Sequence, residues 1–324
     1  MADVVYRTFR PGDGARLVDL IAAAQPADPV SPEWFAENVL LDTNFDPAGL
    51  IIADSGDPAR GAGGLLGFVY AVRARQTVGI PVDPDGGWIT IGGVHPGERN
   101  SGIGGELIER AKDFLRAAGS RWVNFSGYPP AYFLPGLDAD RYPDGLRLLE
   151  RHGFRTMSKP VAMDFGLATY STPDDVIERQ RDREAEGYVV TPAQADDLPD
   201  VISFAAGEMA PDWGEAVRQA VVRHGRPDRV VLVRDPQHEV VGFATYAAYR
   251  GLRERFGPIG VRETRRGLGL GKILLHATLR RMRAEGLHGA WFLWTGPESP
   301  AGRLYLQTGF TVTRTFHVMQ ADLA

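Results

Sequence analysis

Two stretches of this 324-residue chain carry residue types and spacings suited to holding a phosphorylated ligand. One reads Val94-His95-Pro96-Gly97-Glu98-Arg99-Asn100-Ser101-Gly102-Ile103-Gly104. The other reads Val261-Arg262-Glu263-Thr264-Arg265-Arg266-Gly267-Leu268-Gly269-Leu270-Gly271-Lys272. Each closes a strand-like run at a valine, turns through Arg-x-x-Gly-x-Gly, and enters an amphipathic pattern of helical period. Glycines let backbone N–H groups converge with no Cβ in the way. A helix N-terminus adds a partial positive charge of roughly half a unit. The same glycines would also serve a tight strand–helix turn, but their recurrence in one context favours the anion cradle. A nucleotide-triphosphate loop needs Gly-Lys-Ser/Thr, and Lys272 is followed by Ile273. A dinucleotide fold sets its glycines after the first strand, whereas these follow roughly the fourth.

The elements that must position these loops repeat along the chain. Val94 and Val261, Arg99 and Arg266, Gly102 and Gly269, and Gly104 and Gly271 are each 167 residues apart. The amphipathic stretches that follow end at Gly119 and Gly286, with the same offset. Leu148-Leu149-Glu150-Arg151-His152-Gly153-Phe154 then corresponds to Leu304-Tyr305-Leu306-Gln307-Thr308-Gly309-Phe310, now 156 apart. The 11-residue difference falls on the proline- and aromatic-rich stretch 128–138. Internal repeats set architecture, and the chain is expected to hold two copies of one α/β unit. Periodicity places strands in the first copy near 4–9, 50–53, 65–72 and 88–94, with helices near 15–21, 34–41 and from 104. The second copy repeats this from Tyr188. The expected domains are 1–168 and 188–324, joined by a solvated linker helix within 169–187. That helix would be capped ahead of Pro173, with Asp174 and Asp175 in its first turn.

Composition narrows the function classes. The 36 basic and 41 acidic residues give a net charge of −5, which lacks the basic footprint of a nucleic-acid binder. Cysteine is absent, removing disulfides, thiolate catalysis and cysteine-bound zinc. The seven histidines show no metal-ligand spacing; His276, on the second long helix, is expected to face solvent. No apolar run approaches the ~20 residues of a membrane span, and the first residues lack the pattern of a secretory leader. The expected location is the cytoplasm.

The paired loops resemble the acyl-CoA binding motif of the GNAT N-acetyltransferases: Val94-x-Pro96-x-x-Arg99-x-x-Gly102-x-Gly104, and Val261 with Arg266-x-x-Gly269-x-Gly271. Ala301-x-x-Leu304-Tyr305-x-x-x-Gly309-Phe310 is similar to a later motif of the same family. The resemblance implies two tandem domains, each a mostly antiparallel mixed sheet flanked by helices. It implies acetyl-CoA as donor, its pyrophosphate on the amides of Arg99, Asn100, Ser101, Gly102, Ile103 and Gly104, or of Arg266, Gly267, Leu268, Gly269, Leu270, Gly271 and Lys272. The pantetheine arm would pair with the strand ending at Val94 or Val261, and no metal is called for. The partner would be a small-molecule amine, with neither nucleic acid nor membrane, and the protein a monomer or homodimer.

The copies differ in their chemistry. In the family, the tyrosine of the later motif can protonate the departing thiolate, and Tyr305 holds that place. Its first-copy counterpart is Leu149, which has no proton to give, so catalysis is expected in the C-terminal copy. In the first copy, Tyr128, Tyr132 or Tyr142 could substitute. A base on the strand before the loop is common in the family, yet residues 256–261 contain none; Glu254 is the nearest carboxylate, with a water chain or a backbone carbonyl equally open. Glu298 stands where the family often has asparagine, and Ser299-Pro300 can still cap the helix that follows. Two other classes remain: a CoA-binding regulatory or scaffold protein without turnover, and a peptide or protein acetyltransferase.

Overall fold

The computed structural model describes residues 4–75, 80–129 and 132–323. Met1, Ala2 and Asp3 of the expected leaderless start, Pro130 and Ala131 of the inserted stretch, and the side chain of His224 lie outside the described residues. The chain forms two compact units, one holding residues 4–75, 82–160 and 315–323 and the other 80–81 and 161–314. Elements are numbered along the whole chain.

The N-terminal unit is built on one seven-stranded sheet. Its strands are β1 (Val5–Thr8), β2 (Leu50–Asp54), β3 (Leu65–Val72), β4 (Gly86–Val94), β5 (Trp122–Phe125), β6 (Arg155–Ser158) and the chain's last strand, β14 (Val318–Asp322). They lie in the order β1-β2-β3-β4-β5-β14-β6. Only β4 and β5 are parallel. Both faces are buried, so β2 and β3 are apolar without interruption rather than alternating. On one face α1 (Asp13–Ala24) and α2 (Pro32–Phe35, continuing as a π-helical turn over Ala36–Leu40) seat Leu17, Leu20, Ile21 and Phe35 on Ile52, Phe68 and Tyr70. On the other, α3 (Ile103–Ala117) and α4 (Pro143–Arg151) pack Leu107, Ala111, Leu115 and Leu149 on Val69, Ile89 and Met319.

The C-terminal unit follows the same plan with its sheet in two parts. It contains β7 (Val161–Gly166), α5 (Asp174–Ala185), β8 (Val189–Pro192), α6 (Leu198–Phe204, continuing as a π-helical turn over Ala205–Met209), α7 (Pro211–His224), β9 (Val230–Arg234), β10 (Val240–Tyr246), β11 (Phe256–Val261), α8 (Leu270–Ala284), β12 (Gly289–Thr295), α9 (Pro300–Thr308) and β13 (Thr311–Thr315). One sheet runs β11-β10-β9-β8 and the other β12-β7-β13.

Two features depart from the reading along the sequence. The repeat unit and the compact unit differ by an exchange of final strands: β14 lies between β5 and β6, and β7 between β12 and β13. The linker helix α5 belongs to the C-terminal unit, where it buries Val176 and packs on α8. Pro173 is itself the N-cap rather than the first helical residue, in extended conformation (ψ 146°), and Asp174 opens the helix. With α5 over it, α8 buries more than one stripe, and His276 is 2% exposed instead of facing water. The cap on α9 is as expected: Ser299 Oγ accepts from the Gly302 N–H at 3.0 Å, with Pro300 first in the helix. Among the described residues no helix is long and apolar enough to cross a membrane.

Candidate active site

The N-terminal loop leaves β4 at Val94 and makes a 3-10 turn over Pro96–Glu98. Asn100 (φ 60°) and Gly102 (φ 88°) are both left-handed, and Gly102 is the N-cap of α3 without a side-chain cap bond. The first-turn amides of α3 therefore point outward with no side chain across them. A Cβ on Gly102 would meet nothing within 4 Å. Arg99 is tied by its Nη2 to the Ala24 carbonyl at 3.0 Å, and Ser101 Oγ donates to the Glu98 carbonyl at 2.6 Å. In front of this loop lies a cavity of about 1060 Å³, reaching past β4 to Phe125, Phe133 and Tyr142. Thr90 Oγ1 borders it, buried and without a hydrogen-bond partner among the described residues. An amide-lined loop, open space and a spare hydroxyl fit a long phosphorylated ligand.

The tyrosines of the inserted stretch are largely committed to structure. Tyr128 is 1% exposed; its hydroxyl accepts from Asn44 Nδ2 at 2.9 Å and faces Asp42 Oδ1 at 3.3 Å. Burial, with Asp42 adding to it, pushes that phenol well above the usual tyrosine range. Tyr142 donates to Asp28 Oδ2 at 2.7 Å.

In the C-terminal unit the loop makes its 3-10 turn over Glu263–Arg265, and Gly267 (φ 85°) and Gly269 (φ 81°) take the left-handed positions. Leu268 and Leu270 pack down on the core, so the loop turns its backbone outward. A Cβ on Gly271 would lie 3.8 Å from Leu304 and from Val261, which sets α8 close against α9 and β11. Lys272 Nζ is 2.7 Å from Asp175 Oδ2 on α5, and this ammonium holds the Asp175 carboxyl below its ordinary range.

Beside the loop β11 and β12 part. A single parallel bridge, Arg255 to Trp291, joins them. Beyond it the ring of Tyr305, on α9, lies 4.5 Å from Phe292 of β12 and 6.1 Å from Phe256 of β11. The residue is 6% exposed, and its hydroxyl has no hydrogen-bond partner among the described residues. Burial raises its pKa well above the ordinary tyrosine value, so the phenol keeps its proton throughout the neutral range. Glu254 stands before β11, where its carboxylate accepts from the backbone N–H groups of His288 (3.0 Å) and Gly289 (3.1 Å). Its position is that of a clamp on the start of β12. Among the described residues no group of three or more histidine or carboxylate side chains could hold a metal ion.

A model of the acetyltransferase (GNAT) family matches residues 198–310, which span the C-terminal loop, the parted strands and Tyr305. Residues 198–310 are thus a GNAT acetyltransferase domain. With the relatives that follow, this domain makes the protein an acetyl-CoA dependent N-acetyltransferase, with acetyl-CoA as donor and the GNAT architecture in tandem. A mycothiol acetyltransferase of Thermobispora bispora is 26% identical over 313 residues, covering 93% of each chain. A solved tandem GNAT protein from the clavulanic acid biosynthesis pathway superposes with a TM-score of 0.63 at 16% identity, covering 99% of each chain. The GCN5-related glucosamine N-acetyltransferase region of a fungal multi-domain GH3 beta-N-acetylglucosaminidase gives a TM-score of 0.80 at 15% identity, covering 99% of this chain and 38% of that one.

Two residues of this GNAT site escaped the sequence reading. Thr90 lies in a bulge of β4: Ile89 faces Ala71 and Ile91 faces Tyr70, which leaves Thr90 between them. The signal was its counterpart 167 residues on, Gly257, in the bulge of β11. Arg179 of α5 lies over Gly269, and no repeat spacing could have shown it because the linker occurs once.

Proposed function

We propose that acetyl transfer takes place in the C-terminal unit, from acetyl-CoA held on Val261 and the loop 266–272 to the amine of a small molecule. The observation that carries this reading is the position of Tyr305 between Phe256 and Phe292, where two neighbouring strands part beside the glycine loop. The amine attacks the thioester carbon, a C–N bond forms and the C–S bond breaks. The Tyr305 hydroxyl gives its proton to the sulfur and regains, through solvent, the proton that the nitrogen of the tetrahedral adduct sheds as it becomes the amide. Leu149 cannot do this in the N-terminal unit. There the reading assigns the cavity beside Val94 and residues 99–104 to acyl-CoA binding without turnover.

Glu254 enters this reading as a strand clamp, because both hydrogen bonds that its carboxylate accepts are to backbone amides. The acceptor amine would lose its proton to water at the mouth of the cleft. Likeness to a mycothiol acetyltransferase along nearly the whole chain supports a small-molecule acceptor. The reading keeps the enzyme in the cytoplasm, as a monomer or homodimer.

The test is acetyl-CoA consumption against a panel of small amines, followed with a thiol reagent. The chain has no cysteine, so the only thiol detected is released CoA. Turnover that survives Tyr305→Phe undiminished would overturn the assignment of the acid.

A further inference from the structure

The cavity of the N-terminal unit continues beyond the point where its strands part. The parallel ladder of β4 and β5 ends at the pair Ile89–Phe125, and Thr90 is the first residue of β4 past it. Thr90 is 3% exposed, and its Oγ1, on the cavity wall, has no hydrogen-bond partner among the described residues. A buried hydroxyl left without a partner costs free energy that an acceptor on a ligand can restore.

Around this hydroxyl the wall is aromatic and aliphatic, with Phe125, Phe133, Leu134, Leu137 and Leu149 on it. Leu149 stands at the station of Tyr305, so a ligand meets methyl groups where the other repeat has a phenol. Phe133, Leu134 and Leu137 come from the stretch 128–138, by which the first repeat is the longer. That stretch is fastened to the body of the unit. The Phe133 ring lies 5.4 Å from Trp34, and Ser126 Oγ donates to the Leu134 carbonyl. Leu137 and His317 exchange backbone hydrogen bonds at 2.9 and 2.7 Å. The apolar wall is therefore a built surface, set by contacts on both of its sides.

An apolar recess with a single hydroxyl at the strand fork matches an aliphatic chain carried on a thioester. The methylenes leave water, and the carbonyl oxygen takes the hydroxyl's hydrogen bond. Acetyl, with one methyl group, would use little of this wall. We infer that the N-terminal unit binds an acyl-CoA whose unbranched acyl chain is longer than acetyl, with Thr90 Oγ1 donating to the thioester carbonyl oxygen. This unit is then a receptor for an acyl-CoA other than the acetyl donor. The inference rests on the reading that an acyl-CoA lies on Val94 and residues 99–104.

The experiment titrates CoA, acetyl-CoA, butyryl-CoA and hexanoyl-CoA calorimetrically into the full chain carrying Gly269→Glu/Gly271→Glu. That double change puts bulk and negative charge on the C-terminal loop, so that the N-terminal unit is read. Affinity should rise by about fourfold for each methylene beyond acetyl, the usual gain from burying one. Adding Thr90→Val keeps the shape and removes the hydroxyl; it should weaken every acyl-CoA by about fivefold, the size of one neutral hydrogen bond, and leave CoA unchanged. Hexanoyl-CoA binding no tighter than acetyl-CoA would overturn the inference, and so would equal weakening of CoA and its acyl forms by Thr90→Val. Absence of binding by CoA and by every acyl-CoA would instead overturn the placement of a ligand on residues 99–104.

Discussion

The rings of Phe256 and Phe292 lie 6.4 Å apart, at positions whose counterparts 167 residues earlier, Ile89 and Phe125, are partners in a parallel ladder. In the N-terminal unit that ladder runs from Gly86–Trp122 to Ile89–Phe125. In the C-terminal unit only the Arg255–Trp291 bridge remains, in the register of Trp88 and Asn124. The next pair is parted, and the Tyr305 ring rests against both of its members. Leu149, at the same station of the first repeat, is buried in the core without opening that ladder. The cleft thus reaches one residue pair deeper in the copy that carries the phenol.

Tyr305→Phe should lower kcat by about a hundredfold, within the usual contribution of a positioned acid. KM for acetyl-CoA should stay within a small factor. The ring keeps its packing against Phe256, Phe292 and Phe310, so the melting temperature should hold or rise slightly as an unpartnered hydroxyl is removed. Tyr305→Leu should instead lose stability along with activity. Steady-state kinetics beside melting curves separate the two variants, and a Tyr305→Phe enzyme with normal kcat would contradict the mechanism.

Glu254→Ala should cost about 2 kcal/mol of stability, because two amide N–H groups lose a charged acceptor. Glu254→Gln, which keeps one acceptor oxygen, should cost less. Neither change should move the pH dependence of kcat/KM. A Glu254→Gln enzyme that folds normally and loses its alkaline-side activity would restore this residue as the base.

Much of the site is written locally, which is why it was legible. The left-handed positions at Gly102 and Gly269 favour glycine, and the spacing from Val94 or Val261 into the helix is covalent geometry. Tyr305 could be told from Leu149 by counting back five residues from Phe310 and Phe154. The strand exchange could not be read in this way. β7 (VAMDFG) and β14 (VMQAD) are short strands that each bury an apolar face, and either could be imagined beside β5 or β12. The choice is made by tertiary packing, not by propensity. α5 looked wet because Val176 is its one buried residue and Arg179 makes its contact through a hydrocarbon stem.

The exchange makes the end of the chain a stability determinant of the unit that begins it. Met319 is fully buried in the N-terminal core, and β14 joins β5 to β6. Met319→Ala should destabilise by about 3 kcal/mol, the middle of the range for emptying such a site. The loss should be local. Hydrogen exchange should accelerate in β5, β6 and α3 while β9 and β10 keep their protection. Uniform loss across both units would contradict an assignment of β14 to the N-terminal fold alone.

Acid should weaken the C-terminal unit through His276. The ring is 2% exposed, and its Nδ1 is 2.8 Å from the Tyr170 hydroxyl, while Nε2 is buried without a partner among the described residues. Desolvation, with Lys272 adding to it, lowers its pKa from 6.5 to about 4. The unfolded chain then binds a proton between those values that the folded chain refuses, so unfolding free energy rises with pH across the window. The contribution of His276 is complete above about pH 6.5 and disappears as pH falls towards 4. His276→Gln can keep the bond to Tyr170 but carries no titrating group. Denaturant unfolding between pH 4 and 7 should therefore show a steeper slope for the wild type than for this variant, by up to one proton, and parallel curves would exclude His276 as the source.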